Sequence, residues 1–262
     1  MPYQRTPLFD SESLSWQELR LLDANPGWSD AYLPPAPRLL VPMDGCFECG
    51  LAGQRFTCDA ASALWLTPAS TYRMRQATAA QRSLLLVLKG GELGAPRRVA
   101  LGPPQRLALA YLRRAASAGR ADRIDALALE ENLLGLVQRA LAAEPLPRER
   151  RPHAAVERAR AYIASDPTRR DGLAQIAAAA FASPFHLARR FRAETGDSLH
   201  AFRNRLRLSL ALERLRQGEA DLSALALDLG FSHHSHFSMA FKRCFGIPPR
   251  TLRRNLTAIA RT

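Results

Sequence analysis

Leucines and phenylalanines spaced by three and four set the pattern of the last hundred residues. Leu222, Leu225, Ala226 and Leu229 stand at i, i+3, i+4 and i+7, one apolar face of a short helix. Gly230 follows and frees the backbone for a sharp turn. Beyond it Phe237, Phe241 and Phe245 recur every four residues, while His234, Ser235, His236, Ser238 and Met239 occupy the other face. Helix, tight turn and a second helix with a polar outer face make a helix-turn-helix pattern. The pattern occurs twice. Leu173, Ile176 and Ala177 lie 49 residues before Leu222, Leu225 and Ala226, and Leu187, Phe191 and Gly196 lie 50 before Phe237, Phe241 and Gly246. An internal repeat of this kind predicts two similar units. Between them Leu199 to Gln217 reads as one long helix with Phe202, Leu206, Leu210 and Leu215 inward. A rod of that kind fixes the distance between two readers, as two major grooves roughly one turn apart require.

Upstream the pattern changes. Over residues 38–88, short apolar runs (Leu39 to Val41, Ala63 to Leu66, Leu84 to Leu88) are punctuated by Pro42, Gly45, Gly50, Gly53, Pro68 and Gly90, which predicts a small sheet or barrel. Residues 1–35 show no clear period. Over 103–143, Leu127, Leu134 and Leu141 repeat at seven with Ile124 and Val137 beside them. Leu107, Tyr111 and Ala115 form a shorter stripe ahead of Gly119. These helices either cover the sheet or pair with a second copy of the chain, and covering the sheet is the preferred reading. Glu144 to Pro152, with three prolines, reads as a linker. The fold class is therefore α+β: a β-sheet or barrel domain with covering helices at 1–145, a linker at 146–153, and an all-α domain at 154–262.

Charge sharpens this division. Residues 1–147 carry 16 Lys and Arg against 14 Asp and Glu, and residues 148–262 carry 21 against 10, so +11 of the +13 sits with the repeat. A basic half beside a near-neutral one points to a polyanion as partner of the former. No run approaches the ~18 apolar residues of a membrane span, and no secretory pattern is visible at the N-terminus. Four cysteines without a disulfide framework fit a reducing cytoplasm.

Ser183-Pro184 opens the second helix of the first unit as N-cap and first helical residue. Phe185, Ala188, Arg189 and Arg192 fall on its outer face, and an arginine there can hold guanine bidentately or grip a phosphate. On the matching helix of the second unit His234, His236 and Ser238 are polar and helix-borne, suited to base edges or phosphates, with plain solvated surface as the alternative. A metal at His233-His234-x-His236 is not expected, because ligands at that spacing share a helix face badly.

Residues 154–258 resemble the AraC/XylS family of bacterial transcription regulators. The match lies in Leu173-Ala174-x-x-Ala177, Ser183-x-x-His186-Leu187-x-Arg189-x-Phe191, Thr195-Gly196 and Arg207-Leu208-x-x-Ala211. It continues through Ala226-x-x-x-Gly230-Phe231, Phe237, Phe241-Lys242-Arg243, Gly246, Pro249 and Arg253. The resemblance implies seven helices, of which the third and sixth meet DNA. The family's base-reading positions then fall on Phe185, Ala188 and Arg189, and on His234, Ser235, His236, Ser238 and Met239. Of these only Arg189 keeps the family's residue type. Phe181 stands where the family has glycine in the first turn, and Leu252 where it has an aromatic residue.

The N-terminal half is similar to the cupin-like sensor domains that precede such domains, through Gly45, Asp59, Pro68, Tyr72 and Arg73. All six histidines lie at 153 or beyond, so this half is not expected to be a metal oxygenase, and neither enzyme activity nor a cofactor is expected. Cys46, Cys49 and Cys58 leave three readings open: small packing residues, a thiol sensor, or part of a zinc site. The expectation is a cytoplasmic DNA-binding regulator whose N-terminal half answers a small molecule or a redox signal. The alternative is a DNA-binding protein whose N-terminal half only dimerises. Promoter DNA is the expected partner; RNA polymerase, an unidentified effector and a second copy of the chain remain open as others, and no membrane is expected.

Overall fold

The computed structural model describes residues 3–21, 27–69, 71–76, 81–91, 94–117, 126–142 and 153–261. Its β-rich half contains β1 (Tyr3–Asp10), β2 (Leu14–Leu21), β3 (Arg38–Asp44), β4 (Phe47–Leu51), β5 (Gln54–Cys58), β6 (Ser62–Leu66), β7 (Tyr72–Arg75), β8 (Gln81–Leu88) and β9 (Arg97–Ala100). Two helices follow, α1 (Pro103–Ser117) and α2 (Ala126–Ala142). The helical half holds α3 (Ala154–Ser165), α4 (Leu173–Ala179), α5 (Pro184–Thr195), α6 (Leu199–Arg216), α7 (Leu222–Asp228), α8 (His234–Phe245) and α9 (Pro249–Arg261).

Antiparallel pairing builds a six-stranded sheet, β1-β2-β8-β3-β6-β9, and a three-stranded one, β5-β4-β7. Side chains alternate across each strand. Leu40, Leu64, Leu66 and Leu85 of the larger sheet therefore meet Phe47, Cys49, Leu51, Phe56 and Cys58 of the smaller, and these residues pack the space between the sheets. Leu39, Val41, Met43, Trp65, Leu84 and Leu86 point the other way, onto Leu109 of α1 and onto α2. The larger sheet is thus covered on both faces, which is why β3, β6 and β8 read as unbroken apolar runs.

Three expectations change. Residues 1–35 contain a strand hairpin, β1 with β2, whose exposed outer strand carries too few apolar residues to show a period. The stripe that α2 buries is Leu129, Leu133, Leu136, Val137 and Ala140, whereas Leu127 is 62% exposed and Leu134 and Leu141 lie at the margin. Lying on a sheet calls for a broad stripe at the 3.6-residue period, and a strict seven-residue repeat drifts off it. The third concerns α1, which covers the sheet and also packs against α6, α8 and α9. Gly119, Ile124 and residues 146–152 of the linker expected at 146–153 lie outside the described residues.

The two halves meet through buried charge. Arg113 of α1 is fully buried; it donates to both carboxylate oxygens of Glu213 on α6 (2.7 and 2.6 Å) and to Glu18 on β2 (2.6 Å). Burial works against the guanidinium, but the two carboxylates more than offset this and hold its pKa above the usual value. Asp59, after β5, receives two bonds from Arg160 of α3, the shorter 2.7 Å. Arg98 of β9 lies 3.3 Å from Glu157, also on α3. Burial pushes the Asp59 carboxyl up, yet Arg160, the Ala61 amide and Arg98 together hold it below the usual range.

Breaking one partner of a buried pair strands the other. Arg113→Ala should therefore cost about 3–5 kcal/mol of unfolding free energy, measured by denaturant titration. The Arg113→Met/Glu213→Met double variant should recover most of that loss. The Asp59 contribution is present above its unfolded pKa of about 3.9 and is lost as pH falls through the lower folded value. Stability should accordingly drop in that acid window, and less steeply in Asp59→Asn.

Candidate nucleic-acid interface

The two helix-turn-helix units share their buried anchors and the ends of their second helices but differ in their N-caps. Ser183 caps α5, its hydroxyl accepting from the His186 amide, and Pro184 occupies the first turn. Asp221 caps α7 by accepting from the amides of Ser223 and Ala224. The helices α5 and α8 both end on a glycine in the left-handed region, Gly196 and Gly246, each with φ of 78°. Leu187 and Phe191 anchor α5, and Phe237 and Phe241 anchor α8, all buried. Ser198 caps α6, which runs unbroken from one unit to the other.

Arg207 of α6 ties the units together. Its guanidinium donates to the carbonyls of Pro167 (2.6 Å), Thr168 (3.3 Å) and Arg169 (2.9 Å) beside the first unit, and to Gly230 (3.1 Å) in the turn of the second. Burial lowers its pKa to about 10, still above neutrality, so it remains a cation.

The turns differ at equivalent positions. Gly230 has φ of +77°, and a Cβ there would lie 2.8 Å from an Arg207 nitrogen and 3.0 Å from the Thr168 carbonyl oxygen. Phe181 adopts the same left-handed backbone, φ +52°, without glycine's freedom. Its ring is 82% exposed, and the Arg158 guanidinium stacks over it at 5.3 Å while donating to the Ala180 carbonyl. The sequence marks Phe181 as unusual; the backbone explains where the strain lies.

The outer faces carry the expected side chains. On α5, Phe185 is 72% exposed, Arg189 is exposed and Ala188 is half-buried. On α8, His234, Ser235 and His236 are exposed, Ser238 is half-buried and Met239 is 67% exposed. His234 and Ser238, one turn apart, lie 3.3 Å from each other, and the His236 ring sits edge-on to Phe231 at 5.6 Å. One carboxylate occurs on these two helices, Glu194 at the C-terminal end of α5. Beside α8 a cleft of about 580 Å³ is lined by His234, Ser238, Asp221, Arg250 and Arg253. Arg253 donates to the Ala220 carbonyl and so fastens α9 to the start of the second unit. The apolar spacing rule did not single out Arg250, since it concerns only the buried face.

The candidate thiols lie elsewhere. Cys46 is buried against α3, Cys49 and Cys58 lie between the sheets, and all are free. Burial pushes the Cys46 and Cys49 thiols up to about 12, and Cys58 upward as well, so at neutral pH all are protonated and weak nucleophiles. Among the described residues no group of three or more His, Cys, Asp or Glu is arranged to hold a metal, and no helix is long and apolar enough to cross a membrane.

The fold and this surface define the class: a protein with two helix-turn-helix units joined by one rod. Residues 176–255 match the family model of a helix-turn-helix domain. A putative AraC-like transcription regulator of Streptomyces lividans is 38% identical over 92 residues, which is 35% of this chain and 30% of the relative. The transcriptional activator RhaS of Escherichia coli is 40% identical over 67 residues, 26% of this chain and 24% of the relative. The fatty-acid-bound structure of ToxT from Vibrio cholerae aligns over 96% of this chain and 99% of its own at 14% identity, with a TM-score of 0.38. The matched stretch spans less than a third of these two curated relatives. The helical domain of this chain is thus similar to the corresponding part of AraC-like transcription regulators.

Gly230→Ala should cost about 2 kcal/mol, combining left-handed strain with the crowded Arg207. Phe181→Gly at the equivalent turn should change stability by less than about 1 kcal/mol, because relief of strain is offset by greater freedom of the unfolded chain. Thermal unfolding of the two variants checks the contrast.

Proposed function

We propose that this chain is a sequence-specific DNA-binding transcription regulator in which α5 and α8 enter successive major grooves. The reading rests on one observation: two exposed helix faces, nearly free of carboxylates, held on a single rod in the half that carries +11 of the +13 charge. Arg189 reads or anchors from α5 by a bidentate bond to guanine or phosphate. Phe185 and Ala188 present apolar surface suited to thymine methyl groups. His234, His236 and Ser238 supply hydrogen bonds from α8. The division into an N-terminal domain at 1–145 and a DNA-binding domain from 154 is part of this proposal.

The N-terminal half acts as the sensor, and its signal is a small molecule rather than oxidation of a thiol. The buried, protonated cysteines favour the former. Two observations support coupling in place of mere dimerisation: Arg113 joins Glu18 to the rod at Glu213, and Asp59 joins the β-rich half to the first unit through Arg160. A half that only dimerised would leave operator affinity unmoved by every ligand tested.

Fragments selected from genomic DNA by the purified chain should share a motif. Affinity for them should fall steeply with salt, because bound counterions are released. Arg189→Ala should weaken specific binding by about 1–3 kcal/mol, measured by fluorescence anisotropy on the selected site. Unchanged affinity and unchanged sequence preference would remove its assigned role.

A further inference from the structure

The outer face of the three-stranded sheet carries a feature that DNA binding does not use. Pairing sets Gly50 on β4 directly between Arg55 on β5 and Arg73 on β7. All three face outward, since their neighbours Cys49, Leu51, Phe56 and Met74 point between the sheets. In the adjoining row Glu48 sits between Thr57 and Arg75 and bonds Arg75 at 2.7 Å. One row is therefore neutral and the next holds two cations. Among the described residues neither Arg55 nor Arg73 has an acidic partner.

Glycine keeps the floor between them low. The Trp28 ring rests on it, 3.5 Å from where a Cβ would stand, and lies beneath the Arg55 and Arg75 guanidiniums at 5.2 and 5.3 Å. Neighbouring strands are about 4.8 Å apart, so the two arginine Cα atoms stand about 10 Å from each other, a span that two long side chains close around one acid group. The cleft beside them measures about 880 Å³, and Trp28, Leu33 and Pro68 are among the side chains that line it. Leu33 is 53% exposed, an unusual position for so large an apolar side chain beside paired cations.

We infer that this cleft binds a small organic anion with a flat apolar body. Its acid group sits between Arg55 and Arg73, and its body lies against Trp28 and Leu33. A charge-assisted bond from each guanidinium supplies orientation and strength, and Trp28 and Leu33 supply apolar contact. The space between the two sheets is packed with leucine and phenylalanine side chains, so the ligand meets the outer face of the three-stranded sheet. The inference stands on these residues alone and does not depend on the DNA reading.

Calorimetry on the full chain without DNA tests it. The probes are 2-naphthoate, 2-naphthyl phosphate and the neutral 2-naphthamide. Both anions should bind at least tenfold more tightly than the amide. The Arg55→Gln/Arg73→Gln variant should lose at least tenfold for the anions and leave the weak amide binding unchanged. Both substitutions are on the surface, and an unaltered unfolding midpoint shows that the variant is folded. Equal binding of anion and amide, anion binding that survives the double substitution, or no binding of either anion would overturn the assignment. The comparison of anions with amide on the unmodified chain decides the matter even if the variant does not fold.

Discussion

Guanidinium groups withdrawn from water organise this molecule. Arg113, Arg160 and Arg207 each lie at a place where segments distant in sequence converge, and each satisfies carbonyls or carboxylates that the apolar cores cannot. Enclosing a charge is costly unless its bonds are complete. A bond of this kind therefore demands one geometry, whereas leucine packing tolerates small slips. Arg207 sets the relation of one helix-turn-helix unit to the other. Arg113 and Arg160 set the relation of the β-rich half to both.

This arrangement gives the surface helices a stiff frame. The buried Leu187 and Phe191 of α5 and Phe237 and Phe241 of α8 leave each helix one outward face. That face is nearly free of acids, so an approaching polyanion meets little repulsion. In the proposed reading, specificity falls to a few side chains of mixed character: an arginine, a phenylalanine, two histidines and a serine.

The helical half was readable from sequence because its signals are local. Phenylalanines at a spacing of four, a serine before a proline, and glycines closing helices each act within one or two turns, and their duplication repeats the message. The strands buried on both faces, β3, β6 and β8, were readable for a similar reason. The hairpin of β1 and β2 was not, since half of its residues face water and its partner β8 lies some sixty residues away. Nor were the ion pairs between the halves: Glu18, Arg113 and Glu213 are unremarkable charged residues until the fold brings them together. The Arg55-Gly50-Arg73 row was hidden likewise, because strand register alone places those residues side by side. Asp59, read as a mark of family likeness, is in the structure the counterion of Arg160.

The helix α1 belongs to two cores at once. Leu109 and Ala110 are consecutive, about 100° apart around the helix. Leu109 is buried in the core under the larger sheet, and Ala110 in the core of the second helix-turn-helix unit. Rolling α1 about its axis to suit one core would lift a side chain out of the other. The helix is thus a shared axle: the sheet cannot change its grip on it without turning a surface on which α8 and α9 rest.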